Sequence, residues 1–473
     1  MPTRALSPLE SGFLQLESPA APMHMGSIAI FEGAPLLDED GALRLDDLRA
    51  LIASRLALVP KLRQYPVPGF LGQAPPTWAD DAAFDITQHV RQRQLPAPGT
   101  EAQLREACGD LLATPLRTDR PLWELVFVTG LDDGRVALVE KLHHAVADGI
   151  AAAELATVLL DLAPAMPPFD DSATWEPGAP RSCVTRALQD ILSLTKISLR
   201  LPEALGAAMV HPIRSTRAAL GFGAALVPML PLRLIAPRSS LNNQISQQRE
   251  VHFVRAPLER VHGVAQNHGA TINDVLLSAI SGGLRDILDK RGELDRTCEL
   301  QALVPVGLDT QRKRTSGNGV SAYFVRLPIA EPDPARALAF VSRETKAQKG
   351  HHEELVPGSA LRLLDPVPQG VLGEAARLLR RQPFFNLIVT NVPGPPVPLY
   401  ALGARMLEVF PIVPLLGNQG LGVAALSYVD TFAIGVLSNP DVVPDVEIFC
   451  HGVVRTLAAL DDPNVPIATD HRP

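Results

Sequence analysis

Residues 134–162 read GRVALVEKLHHAVADGIAAAELATVLLDL, and the fold is decided here. Through GRVALVEKLHH, apolar and polar residues alternate with a period of two, rich in Val and Leu, which predicts a strand. From Gly149 the pattern predicts a helix, with Asp148 placed to cap it. Between them runs His143-His144-Ala145-Val146-Ala147-Asp148-Gly149, a handover from strand to helix through small residues. A neutral imidazole at a strand end can take a proton from an alcohol as that alcohol attacks an acyl carbonyl. The small residues at 145, 147 and 149 leave room for a substrate and a tight turn. Asp148 has two possible tasks: capping the helix, or pairing with an arginine that holds the loop. The His pair also reads as satisfied core imidazoles, or as a metal site. For a metal, one adjacent pair and one Asp make a thin ligand set, without another His or Cys cluster in support. A second pair, His351-His352, sits in a charged stretch without the following Asp and reads as a solvated helix face.

Outward from that stretch, residues 1–165 read as mixed α/β. Leu48, Leu51, Ile52 and Leu56 recur at helical spacing within 43–59. Residues 163–181 have the Pro, Asp and Ser content of a linker. The segment 183–236 is apolar and dotted with Arg200, Arg214, Arg217 and Arg233; it suits a helical bridge packed on the core or a lipid-facing surface. From about 246 the alternation resumes: a strand in QREVHFVRAPL, a helix ended by Gly269, and an amphipathic helix beginning near Thr271 or Asn273. ELQALVPVGL, SAYFVRLPI, FFNLIVTNVPGP and ALSYVDTFAIGVLSNP then read as strands ending in turns. The division is therefore 1–165, a linker over 166–245, and 246–473, giving two α/β lobes.

Composition narrows the function. The chain has 473 residues, 46% hydrophobic and 20% charged, enough for a sizeable core and two or three domains. A net charge of −8 argues against nucleic acid as a partner. Cys108, Cys183, Cys298 and Cys450 lie far apart with no CxxC pair, which fits a reducing cytosol. No secretory signal is visible at the N-terminus, and the apolar run 218–232 is short of the ~20 residues that span a bilayer. GxSxG, GxxxxGK[ST], GxGxxG and HExxH are absent, so serine hydrolysis, nucleotide hydrolysis and zinc proteolysis lack their usual support.

HHAVADG resembles the HHxxxDG motif of the bacterial wax ester synthase/acyl-CoA:diacylglycerol acyltransferase family, within the chloramphenicol acetyltransferase-like group. LSPLESGFLQLESPAAPMHMG (6–26) is similar to the family's opening, LSPxDxxFLxxE…PMHxG. Pro121-Leu122-Trp123 matches its PLW block, and Asn273-Asp274 its ND block. LVPVG…GN (303–318), TNVPGP (390–395) and DVVPD (441–445) match later blocks. Gly307 and Asp309 stand where the family usually has Ser and Arg, and SYVDTF lacks the usual YxG hairpin. The resemblance implies an α/β (α+β) protein of two chloramphenicol acetyltransferase-like lobes, with mixed sheets, flanking helices and a tunnel between the lobes. It implies O-acyl transfer from acyl-CoA, a substrate rather than a cofactor, to diacylglycerol or a long-chain alcohol, with no metal.

Residue by residue, the resemblance makes His144 the general base, with His143 shaping the site and Asp148 and Gly149 structural. Asn273 is a candidate oxyanion donor, with helix capping as its simpler role. Trp123 is read as packing under the active-site strand and at the substrate site, and Glu17 as a brace. Asn391, Pro393 and Gly394 read as a tight turn on the channel rim. Location is expected to be cytoplasmic, with peripheral attachment to the inner membrane or lipid droplets. Two other classes stay open: a peptide-type condensation enzyme, which shares HHxxxDG, and a non-catalytic lipid-binding scaffold.

Overall fold

The computed structural model describes residues 4–69, 74–147, 149–165, 235–306, 321–350, 373, 376–377 and 379–462. Asp148, the segment 183–234, Gly307, Asp309 and His351-His352 lie outside the described residues.

The N-terminal half opens with α1 (Pro8–Leu16), β1 (His24–Phe31) and α2 (Leu45–Arg55). Strands β2 (Gln64–Val67), β3 (Thr77–Asp80) and β4 (Val90–Gln94) follow, then α3 (Glu101–Ala113). The stretch quoted first forms β6 (Val136–His143), after β5 (Trp123–Thr129), and α4 (Gly149–Leu159). The second half contributes β7 (Glu250–Pro257), α5 (Leu258–Asn267), α6 (Ile272–Lys290), β8 (Leu300–Val306), β9 (Ser321–Leu327) and α7 (Pro334–Gly350). It ends with β10 (Leu387–Pro393), β11 (Tyr400–Ala401), β12 (Ala404–Ile412), β13 (Leu421–Tyr428), β14 (Thr431–Ser438) and α8 (Val446–Asp461).

Local chemistry explains the helix starts. Pro8 opens α1, and Ser7 and Glu10 exchange reciprocal bonds: Glu10 N–H to Ser7 Oγ at 3.2 Å, Ser7 N–H to Glu10 Oε2 at 2.8 Å. Thr100 with Gln103 and Thr271 with Asp274 repeat the device at α3 and α6. The helix expected over 43–59 is regular only through Arg55; a 3-10 turn, Leu56–Leu58, completes it.

Two six-stranded sheets carry the fold, ordered β11-β12-β1-β6-β5-β4 and β7-β14-β13-β10-β8-β9. Both are mixed: β4 runs parallel to β5, and β10 parallel to β13 and β8, among otherwise antiparallel pairs. The first sheet is not built from residues 1–165 alone. Strand β12 crosses over to pair with β1, Gly26 opposite Ile412, so a division at residue 246 cuts through this sheet. The helix expected after Gly149 and the strands expected from 246 onward stand where the periodicity puts them.

In β6, alternation sorts side chains between two cores. Ala137 and Val139 face the core shared with the second sheet; Val136, Leu138 and Leu142 face the core under α2 and α4. His143 follows the first set. The halves also meet at α3 and β7, where a Cβ on Gly109 would lie 2.4 Å from the Arg249 carbonyl, so only glycine admits that approach. Buried Arg249 donates there to the carbonyls of Ser246 at 2.8 Å, Gln248 at 2.6 Å and Ala20 at 2.5 Å, and burial lowers its pKa to about 10.

Candidate active site

His143 closes β6 and is wholly buried. Its Nδ1 accepts the Ala145 N–H at 3.0 Å, so that nitrogen carries no proton and the neutral ring holds its proton on Nε2. Nε2 has no hydrogen-bond partner among the described residues, and it lies 3.6 Å from Glu17 Oε2, beyond hydrogen-bond length but close enough for attraction. The Val146 N–H meets the His143 carbonyl at 2.8 Å, which closes the turn. His143 therefore shapes the turn from inside.

His144 differs. It is half-buried, its N–H donates to the Met23 carbonyl at 3.0 Å, and its ring stacks on Phe13 with centroids 4.9 Å apart and planes 19° apart. Of the two imidazoles it is the one with surface to offer a substrate.

Around the turn stands a set of braces on and beside α1. Glu17 Oε1 accepts the Met23 N–H at 3.3 Å. Lys61 Nζ joins Glu10 Oε1 at 2.8 Å to the Ala145 carbonyl at 3.0 Å, and Arg4 meets the same Glu10 at 2.8 Å. Burial alone would raise the Glu10 carboxyl. The hydrogen bonds from Lys61 and Ser7, with the Lys61 and Arg4 charges, outweigh it and hold the pKa below 4.5. A carboxyl lowered in the folded state adds stability above its unfolded pKa and loses it as pH falls through the folded value. Wild-type melting temperature is therefore expected to drop more steeply than that of Glu10→Gln below about pH 4.5, measured by thermal scans across pH.

Beneath the turn, His24 pairs across β1 with His143 and meets the Leu112 carbonyl at 2.9 Å through Nε2. Burial and then the Lys141 charge push its pKa well below 6.5, so it stays neutral. Lys141 is 1% exposed; it pairs with Glu124 at 2.8 Å and donates to the carbonyls of Leu111 at 3.0 Å and Thr114 at 3.2 Å at the end of α3.

The other expected residues fall in three places. Trp123 opens β5 opposite Leu142, on the sheet face away from His143. Its indole N–H is committed to the Leu62 carbonyl at 2.6 Å and its ring stacks on His89 at 4.5 Å, so it supports the strand from below. Asn273 is the second residue of α6, but the cap is Thr271, whose Oγ1 accepts the Asp274 N–H. Its amide instead donates to Tyr323 Oη at 3.3 Å. Asp274 takes the Thr345 hydroxyl at 2.6 Å and ties α6 to α7.

Asn391 and Pro393 do not form the expected turn: both belong to β10, parallel to β13, with Pro393 its last residue, where the missing N–H breaks only the ladder's end. Gly394 follows, and a Cβ there would sit 2.3 Å from the Ser427 carbonyl. Helix α4 packs against β10, so Gly149's helix and the strand of Asn391 adjoin. Among the described residues, no group of three or more His, Cys, Asp or Glu is placed to hold a metal.

Sequence reasoning passed over Phe13, Lys61 and Glu10. For Glu10 and Phe13 the signal was available in the opening block, where they fall with Glu17 on one helical face; Lys61 had none.

Residues 6–276 match the wax ester synthase/diacylglycerol acyltransferase catalytic domain, and 316–461 the C-terminal domain of the same family. This chain belongs to the wax ester synthase/diacylglycerol acyltransferase family. Acyl transfer to diacylglycerol or to an alcohol is the activity that goes with the family. A Mycobacterium tuberculosis protein named a probable diacylglycerol O-acyltransferase is 32% identical over 463 residues, 96% of this chain and 95% of that one. The solved wax ester synthase/diacylglycerol acyltransferase from Marinobacter aquaeolei VT8 has a similar fold, at TM-score 0.65 and 24% identity over 97% of this chain and 98% of that one. The first condensation domain of the calcium-dependent antibiotic synthetase shares the fold at TM-score 0.58 and 17% identity, covering 98% of both chains.

Proposed function

We propose that His144 is the general base in acyl transfer from a long-chain acyl-CoA to the hydroxyl of diacylglycerol or a long-chain alcohol. One observation carries this reading: the turn divides its two imidazoles, burying His143 with Nδ1 occupied and leaving His144 half-buried on Phe13. Both substrates meet in a tunnel between the lobes. His144 takes the hydroxyl proton as the oxygen attacks the thioester carbonyl, and a tetrahedral oxyanion forms. The C–S bond then breaks and the imidazolium returns the proton to the departing CoA sulfur, leaving the ester. The reaction so written needs no resident cofactor.

Direct transfer without an acyl-enzyme is favoured by the three thiols among the described residues. Burial pushes Cys108 and Cys450 each up to about 12 and raises Cys298, whereas a nucleophilic thiol needs the opposite shift. Asn273 is the proposed oxyanion donor: Thr271 performs the capping, and beyond the bond to Tyr323 Oη the Asn273 amide has a second N–H to give. Asp148 and Gly149 are assigned to loop and helix geometry, and Asn391 and Gly394 to the channel wall.

The test offers acyl-CoA with diacylglycerol and hexadecanol together and profiles the products. Triacylglycerol, wax ester or both are expected. Product formed only with an amine acceptor favours a condensation enzyme, and no product with any acceptor favours a lipid-binding scaffold.

Attachment to the inner membrane or to lipid droplets is proposed as peripheral, supported by lipid-partitioning substrates and the arginine-dotted apolar segment 183–236. Among the described residues, no helix is long and apolar enough to cross a membrane. Flotation with anionic liposomes is expected to carry the protein upward at low salt and release it at high salt; a protein that never floats contradicts attachment.

A further inference from the structure

Helix α1 presents one face to the His143–His144 turn. Glu10, Phe13 and Glu17, three and four residues apart, lie on one stripe. Through Lys61, Glu10 reaches the Ala145 carbonyl; Phe13 stacks on His144; Glu17 holds Met23, whose carbonyl takes the His144 N–H. The placement of the His144 ring and backbone thus follows the placement of α1.

A helix end leaves its last carbonyls without partners inside the helix. Here the partner comes from 363 residues away in the chain. Arg380 donates Nε to the Leu16 carbonyl at 2.9 Å, and its terminal nitrogen to the Gln15 carbonyl at 2.9 Å and to the Glu17 carbonyl. One planar guanidinium meets all three acceptors, a geometry that a lysine ammonium does not reproduce. Arg380 belongs to the matched C-terminal domain, whereas α1 and the His pair belong to the catalytic domain.

We infer that Arg380 is a positioning residue for acyl transfer: it clamps the last turn of α1 from the second domain and so sets His144 against Phe13 and holds the Met23 carbonyl that takes the His144 N–H. The inference rests on the proposed role of His144. A small displacement of a catalytic group costs rate rather than binding, and one of about 1 Å can cost 10²-fold. A simple helix cap would instead lower melting temperature and leave the folded enzyme's kcat alone.

The experiment measures CoA thiol release by wild type, Arg380→Gln and Arg380→Lys, each scaled to folded protein, with melting temperatures alongside. Arg380→Gln is expected to lower kcat about tenfold or more, with KM for acyl-CoA within about twofold of wild type. Arg380→Lys should recover part of the loss, and guanidinium ion added at non-denaturing concentration should raise Arg380→Gln but not wild type. Glu17→Gln added to Arg380→Gln should cost little more, since both act through one turn. Unchanged kcat in both variants, or a loss confined to KM, overturns the clamp. A His144→Ala arm separates the two ideas: if it retains wild-type turnover, the base assignment fails and the clamp falls with it. If it alone is inactive while Arg380→Gln is fully active, only the clamp fails. Should Arg380→Gln not fold, Arg380→Lys decides, through its kcat relative to wild type.

Discussion

Replacing His144 by Ala is expected to lower turnover by at least about 10²-fold, the usual contribution of a positioned acid–base group. The fold and acyl-CoA affinity should hardly change, because the ring is half-buried rather than part of either core. His143→Ala should behave differently. It removes the acceptor for the Ala145 N–H from a buried turn, so stability and turnover should fall together, the stability by about 1–3 kcal/mol. Single-turnover rates and melting temperatures of the two variants separate proton transfer from turn support. Near-wild-type turnover in His144→Ala contradicts the base assignment.

Lys141→Met should produce the largest loss of stability without direct loss of chemistry. The ammonium lies two residues before His143 on the same strand face, sealed from solvent, and serves Glu124 and two carbonyls at the end of α3. Its removal leaves those carbonyls without their donor, while Glu124 keeps Arg91 as a partner. A cost near 3 kcal/mol is expected, the lower end for breaking a buried pair. Denaturant midpoints measure it, and turnover scaled to folded protein should stay within a few-fold of wild type. A midpoint matching wild type would show that the pair and the α3 cap add nothing net.

The strand–turn–helix around the His pair was legible because its signals are local: period-two alternation, two histidines, small residues, then a helical pattern. The same holds for α6, where Thr271 and Asp274 announce the helix start three residues apart. Other features have no local signal. The pairing of Gly26 with Ile412 depends on a crossover that residues near 26 do not encode, so the first sheet could not be completed from 1–165. Asn391, Pro393 and Gly394 read as a turn because punctuation residues usually mark one, whereas here the strand runs through Asn391 and ends on Pro393, with Gly394 following it. Lys141 reads as an ordinary strand residue until α3 is seen to cover it. Arg380 is one arginine among many until the end of α1 is seen beside it. Asn273's role as cap was open on sequence and closes once Thr271 is seen to hold the Asp274 N–H.

Rapid-mixing measurement of CoA thiol release tests the central claim most directly, with acyl-CoA offered alone and then with diacylglycerol or hexadecanol. If His144 deprotonates the acceptor hydroxyl for direct attack, acyl-CoA alone gives no burst and acceptor starts release. A burst stoichiometric with enzyme in the absence of acceptor, with one acyl group added to the protein's intact mass, would contradict the account by revealing a covalent acyl-enzyme.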